Sequence, residues 1–293
     1  MVLNWHGRAE TLQCLHALAA LSYPNLAVIL IDNDCREFTA DELSQLVADG
    51  RYVSTDVNLG FAAGANLGMR HALDARAEYV WFLNNDAQPE PDALRELIAV
   101  AEQSPAIAIV GPKILQAQDP QRLDSIALDV NLRSGRIYLT GHDEADHGQY
   151  DQLTTARAVT GCAMLVSRVA CERLGGFDER FFAYLEDADL CLRAGAAGFR
   201  VAVAPRARVR HQRPAATRGR QSVASLYYTA RNHLILLERH GRGPFWWRPL
   251  RAAWIIVLNL LYAVRAADTA DAMARVGAVC QGVRAYRCRS ARS

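Results

Sequence analysis

The chain has 293 residues, enough to bury a full core as one large domain or as one domain with a helical appendage. Its 33 Lys and Arg against 31 Asp and Glu leave a net charge of only +2, an ordinary globular balance in which no nucleic-acid partner is expected. The charge is nevertheless divided: residues 1–212 carry 19 basic and 28 acidic side chains, whereas residues 213–293 carry 14 arginines against Glu238, Asp268 and Asp271, so body and tail have different jobs or different partners.

Apolar runs alternate with helical patterns through the first two hundred residues, which predicts an α/β fold with a mostly parallel central sheet flanked by helices. Strands are predicted at Val2–Leu3, Ala27–Ile31, Tyr79–Leu83, Ile107–Val110, Cys162–Val166 and Arg200–Val203. Helices are predicted at Glu10–Leu21, Asp41–Ala48, Ala62–Leu73, Pro91–Gln103 and Asp187–Ala197. The first strand is short, which fits either a clipped sheet edge or a start that lies upstream. Residues 115–158 break the rhythm with turn residues and the acidic run DEADHGQYD, and read as a variable insertion with one hairpin and a mobile loop. Helical patterns return at Gln221–His240 and Trp247–Ala266, separated by Gly241, Gly243 and Pro244, and form a C-terminal helical extension. The boundary falls between a domain of residues 1–215 and a basic helical region of residues 216–293.

No signal peptide is expected from MVLNWHGR, which lacks a basic segment followed by an apolar stretch. The most apolar segment, Ala252–Val264, is interrupted by Asn259 and falls well short of the roughly 20 residues that cross a bilayer. The seven cysteines are odd in number, lack metal-ligand spacing and partly sit in apolar runs, as reduced cytosolic thiols do.

Three stretches could carry chemistry. Asp32-Asn33 closes one predicted strand and Asn84-Asn85-Asp86 another, so both clusters point to the carboxyl edge of the sheet, where α/β folds bind ligands. Either cluster alone is also a common turn or cap. Between them VNLGFAAGANLGMRHAL places Asn58, Gly60, Gly64, Asn66 and Gly68 before a helix, which permits close backbone approach but is not the dinucleotide pattern. In GGFDERFFAYLEDADLCLRA, three carboxylates, Glu186, Asp187 and Asp189, open a helix directly after an apolar run. The helix dipole favours them there, but burial without a cation or proton partner would be costly.

Together these segments resemble family 2 glycosyltransferases of the GT-A fold, most closely the bacterial rhamnosyltransferase-like members. The resemblance covers about residues 1–240 and rests on LNWHG, VILIDND, NLGFAAGANLG, FLNNDAQPEP, TGCAMLVSR, GGFDERFFAYLEDADLCLRA, RVRH and YYTARNHLILLERHG, in that order. It implies a nucleotide-sugar-binding fold in which Asn84-Asn85-Asp86 stands at the place of the family's D-x-D motif, with Asn84 replacing the first Asp. Asp86 and His211 are then the expected metal ligands, for Mn2+ or Mg2+. Asp32 is expected to contact the nucleobase, and Asn4, Asn58, Gly60, Asn66, Asn84 and Asn85 to line the nucleotide-sugar site. Asp187 is the expected catalytic base, with Glu186 and Asp189 as support or acceptor contacts.

The implied activity is inverting transfer, with deoxythymidine-diphosphate rhamnose ahead of uridine-diphosphate hexoses as donor and a cell-wall or surface polysaccharide as acceptor, often on a polyprenyl diphosphate. Two other classes stay open: a nucleotidyltransferase, which should show an N-terminal glycine-rich triphosphate loop that LNWHGRAETL lacks, and a non-catalytic nucleotide-sugar-binding scaffold. The arginine-flanked aromatic segment FWWRPLRAAWIIVLNLLYAVR adds a further expectation: peripheral attachment of a cytoplasmic enzyme to anionic lipid at the inner face of a bacterial membrane, against the alternative of a helix packed on the protein.

Overall fold

The computed structural model describes residues 1–212, 222–265 and 271–290. The expected helix ends at Gln221 and Ala266, and the last three residues of the basic tail, lie outside them. In chain order the elements are β1 (Val2–Asn4), α1 (Arg8–Ala19), β2 (Val28–Asn33), α2 (Ala40–Leu46), β3 (Gly50–Thr55), α3 (Gly60–Asp74), β4 (Tyr79–Asn84) and β5 (Ala87–Pro89). There follow α4 (Ala93–Ala101), β6 (Ile107–Gln116), β7 (Leu123–Ser125), β8 (Ala127–Val130), β9 (Ile137–Thr140), β10 (Ala163–Ser167), α5 (Arg168–Leu174) and α6 (Glu186–Ala196). The chain continues through β11 (Arg200–His211), α7 (Val223–His240), α8 (Trp247–Arg265) and α9 (Ala272–Ser290). Two compact units result: Met1–Asp129 with Tyr138–Arg180 and Glu186–Arg213, and Val130–Ile137 with Phe181–Leu185 and Pro214–Ser293.

The first unit is built on one sheet of order β3-β2-β1-β4-β10-β6-β11-β5, with β7 paired to β6. Strands β1 to β4 are mutually parallel, and so are β6 and β11. Strand β10 lies antiparallel between β4 and β6 and makes the sheet mixed. Every residue of β2, VILIDN, is buried, the continuous apolar run of a strand covered on both faces. The short β1 is a central strand, paired with β2 on one side and β4 on the other. Helix α3 lies close on the sheet: a Cβ at Gly64 would collide with Leu3, and one at Gly68 would sit 2.8 Å from Met1 Cε. The glycine repeat therefore serves, in large part, to pack a helix on a strand.

Strands β3 and β5 lie where no strand is predicted, and two further segments differ from the sequence reading in extent. Strand β11 extends eight residues past Val203, to His211. Its register against β6 shifts between Ala204 and Arg208, around Pro205, which has no N–H for the ladder. Beyond the shift, Val209 is buried while Arg208 and Arg210 are exposed, and the strand goes on to pair with β5. Residues 115–158 hold three strands rather than one hairpin and a loose loop. The acidic run is anchored by Lys113, 1% exposed, whose Nζ donates to both oxygens of Asp146 (2.9 and 3.0 Å) and to Asp151 Oδ1 (2.6 Å).

In the second unit, Leu226, Ala230, Ala263, Ala278 and Val279 of α7, α8 and α9 form one apolar cluster. Gly282 of α9 lets that helix approach the Tyr227 carbonyl of α7 more closely than a Cβ would allow. Helix α9 escaped the sequence reading because small residues, not a periodic large apolar face, make its contacts. Among the described residues no helix is long and apolar enough to cross a membrane.

Candidate active site

Parallel pairing sets Asn4 beside Asp32 and Leu3 beside Asn84, so β1, β2 and β4 end side by side. The candidate residues gather on this edge, but several are already committed to one another. Asn4 is fully buried; its Nδ2 donates to Asp32 Oδ1 (3.1 Å) and Glu37 Oε2 (2.9 Å), and its Oδ1 accepts from Thr11 Oγ1 (2.8 Å) and Gly7 N (3.2 Å). Asp32, also fully buried, accepts in addition from Cys35 Sγ (2.6 Å), Tyr52 Oη (2.9 Å) and Phe38 N (3.2 Å). Burial opposes its ionisation, but these hydrogen bonds outweigh it and hold the carboxyl below its ordinary range. Asp32 thus braces the loop after β2. That loop is strained, with Asp34 at φ 68° and Arg36 at φ 49°.

The glycine-rich segment divides in the same way. Asn58 Oδ1 accepts from Gly60 N (2.8 Å) and Asn33 Nδ2 (3.0 Å), and Gly60, at φ 75°, takes a conformation that a larger residue would resist. Asn66 is bound to the turn before α6: its Nδ2 donates to Phe177 O (2.9 Å) and Glu179 Oε1 (3.1 Å), and its Oδ1 accepts from Phe177 N (2.8 Å). It ties α3 to the Gly175-Gly176-Phe177 turn. Asn85 likewise turns inward, Nδ2 to Thr11 Oγ1 (3.0 Å), while Asn84 and Asp86 are half-buried.

The terminal residue of β11, His211, pairs with Ala87 of β5, which carries its ring to Asp86. His211 Nε2 lies 3.3 Å from Asp86 Oδ1, a buried oxygen with no hydrogen-bond partner among the described residues. On the other side, His211 Nδ1 lies 3.0 Å from Asp124 Oδ2 of β7. Burial disfavours the imidazolium, but Cys162, Asp124 and Asp86 more than offset this and raise the His211 pKa well above its ordinary value. A cation that displaces the Nε2 proton would find the Asp86 carboxylate beside an imidazole whose other nitrogen is fixed by a second carboxylate, a donor pair that fits a divalent metal. No set of three His, Cys, Asp or Glu side chains gathers for a metal among the described residues, so remaining ligands would come from diphosphate oxygens and water.

At the start of α6 the three carboxylates differ. Asp189 is fully buried and bound by Arg193 Nε (2.7 Å), one turn on, whose other nitrogens donate to Leu174 O (2.8 Å) and Gly176 O (2.6 Å). Its part is structural support. Glu186 is buried with Oε2 unpartnered among the described residues, and burial together with the charge of Asp187 pushes its pKa well up. Asp187 is half-buried; its Oδ2 accepts from Gly161 N (2.8 Å) and its Oδ1 from Ala188 N (2.7 Å). Burial raises its pKa, and backbone N–H groups of Gly161 and Ala188 oppose the rise. A partly exposed carboxylate with a raised pKa is a stronger base than an ordinary one.

Three contributors lay outside the sequence reading. Arg193 had a signal in its spacing of four from Asp189. Gly161 acts through its backbone, which side-chain reasoning does not see. Asp124 lies 87 residues from His211 and is brought to it only by the pairing of β6 with both β7 and β11.

A profile described as "Glycosyltransferase like family 2" matches residues 1–225. Over 256 residues the chain is 28% identical to the N-acetylglucosaminyl-diphospho-decaprenol L-rhamnosyltransferase of Mycobacterium tuberculosis, covering 80% of this chain and 82% of that protein. In fold it is similar to the mannosyltransferase PcManGT of Pyrobaculum calidifontis, solved with GDP-Man and Mn2+, at TM-score 0.59 and 17% identity over 98% of this chain and 74% of that one. It is similar as well to a TarS fragment of S. aureus solved with UDP-GlcNAc, at TM-score 0.58 and 12% identity over 97% and 80%.

Proposed function

The chain belongs to glycosyltransferase-like family 2 and is a glycosyltransferase, and on that premise we propose that it moves rhamnose, with inversion, from deoxythymidine-diphosphate rhamnose to a hydroxyl of a lipid-linked cell-wall or surface glycan. The observation that carries this reading is the arrangement at α6, where Asp187 alone of three carboxylates is partly exposed, Glu186 and Asp189 being buried. The mycobacterial relative, named for rhamnosyl transfer to a decaprenol-linked sugar, supports the choice of donor and acceptor.

Asp187 takes the proton of the acceptor hydroxyl as its oxygen forms the new bond to the anomeric carbon and the bond to the nucleoside diphosphate breaks. Glu186, buried beside it, supports the first turn of α6. Asp189, locked by Arg193, fixes the first turn of α6. Asp86 and His211 would hold Mn2+ or Mg2+, which when bound neutralises charge on the departing diphosphate. Asn58 and Gly60 shape the backbone beside the donor, and Asp32 meets the nucleobase by exchanging one of its present donors for a base N–H.

Thermal unfolding of the purified chain with Mn2+ and a panel of nucleotide sugars tests the reading. Deoxythymidine-diphosphate rhamnose should stabilise most, by about 2.7 kcal/mol at a hundredfold excess over its Kd. Larger stabilisation by a uridine-diphosphate hexose would overturn the donor, and no shift with any nucleotide sugar would overturn the reading.

A further inference from the structure

Helix α8 exposes apolar residues along one side. Trp247 (41%), Leu250 (56%), Trp254 (47%), Val257 (45%), Leu261 (58%) and Val264 (54%) are all exposed. Their spacing alternates between three and four, so they form a single stripe of about 26 Å. The other side of the helix is already used within the second unit: Arg251, Ile255 and Ala263 are buried, and Arg251 Nη1 donates to the carbonyls of Leu132 (3.3 Å) and Arg242 (2.6 Å). The stripe is thus not the packing face.

We infer that this face of α8 docks on an anionic lipid bilayer, lying in the interface plane. Charge supplies the choice of occupant. Arg242, Arg248 and Arg265 are exposed at the two ends of the stripe, and no acidic residue occurs between Glu238 and Asp268. Phe245 (80% exposed) and Trp246 (56%) extend the aromatic character just before the helix, as suits rings at the headgroup level. An apolar stripe between cationic ends fits acyl chains flanked by anionic headgroups. Pairing of this face with its own copy would instead set arginine against arginine with no carboxylate to answer them. The inference does not depend on which sugar is moved.

The test is co-sedimentation of the full chain with vesicles of phosphatidylglycerol and phosphatidylcholine, and of phosphatidylcholine alone. Wild type should bind the anionic vesicles, and less so at high salt. Trp254→Ser and Leu261→Ser should each lower partitioning by about tenfold, and Arg248→Gln and Arg265→Gln by about fivefold each. Val169→Ser, at an exposed apolar position on α5 (61%), should bind as wild type does. All these positions are exposed, and matching Tm values would confirm that the variants fold. Equal binding by wild type and the stripe variants overturns the proposal. So does a wild-type dimer in light scattering that the stripe variants abolish without any binding to vesicles, an outcome that assigns the face to a second copy.

Discussion

Asp124 offers a sharp perturbation, because it reaches the proposed cation only through His211. Its Oδ2 lies 3.0 Å from Nδ1, and its side chain is 5% exposed, so water screens the contact little. Removing a group that orients a metal-bound histidine typically costs 10- to 100-fold in metal affinity, about 1.4–2.7 kcal/mol. Asp124→Asn keeps an oxygen that can accept from Nδ1–H and loses only the charge, so its expected cost is about tenfold. Asp124→Ala loses orientation as well and should approach a hundredfold. Calorimetric titration of Mn2+ into the full chain, with nucleoside diphosphate present and no acceptor, reads this without turnover. Variants that keep the wild-type Tm and bind Mn2+ within about twofold of wild type would refute the role of Asp124.

Arg193→Met should destabilise the first unit by about 3 kcal/mol, since it strips a buried carboxylate and two carbonyls of their donor; the check is a Tm lower by roughly 6–12 °C. The Lys113–Asp146 pair gives a pH dependence. Burial opposes the charge of Asp146, but bonds from Lys113 and Gly148 N–H, with the charges of Lys113 and Arg208, hold its pKa below the ordinary carboxylate value. Its stabilisation is therefore present above a pH of about 3.9 and is lost as pH falls through the lowered native value. Asp146→Asn should lower Tm at neutral pH, and the gap from wild type should close in acid; a gap independent of pH would contradict the assignment.

Much of the first unit was legible because β2, β4, β6 and β10 are apolar runs set between helical patterns, and the parallel order of β1, β2 and β4 put Asp32 and Asn84 to Asp86 on one edge. What could not be read was long-range. Nothing local marks Asp124 as the neighbour of His211, or Pro205 as the start of a bulge that lets β11 run on to β5. Residue type also misled at Asn66, whose amide reads as a ligand for sugar or phosphate but is consumed by Phe177 and Glu179. The division of labour among Glu186, Asp187 and Asp189 is set by burial and by Arg193, neither of which the spacing alone contains.

The central claim is that Asp187 removes the acceptor proton, and single-turnover transfer at saturating donor and acceptor tests it most directly. Asp187→Asn keeps the shape and its bond from Gly161 N, so donor affinity should change little while the transfer rate falls by about a hundredfold or more. Glu186→Gln keeps the shape of a buried group that does not take the acceptor proton, and should retain transfer within about tenfold of wild type. In wild type the rate should rise with pH through an apparent pKa above the ordinary carboxylate range, in keeping with the burial of Asp187. Near-normal transfer by Asp187→Asn, or a greater loss in Glu186→Gln, would contradict the account.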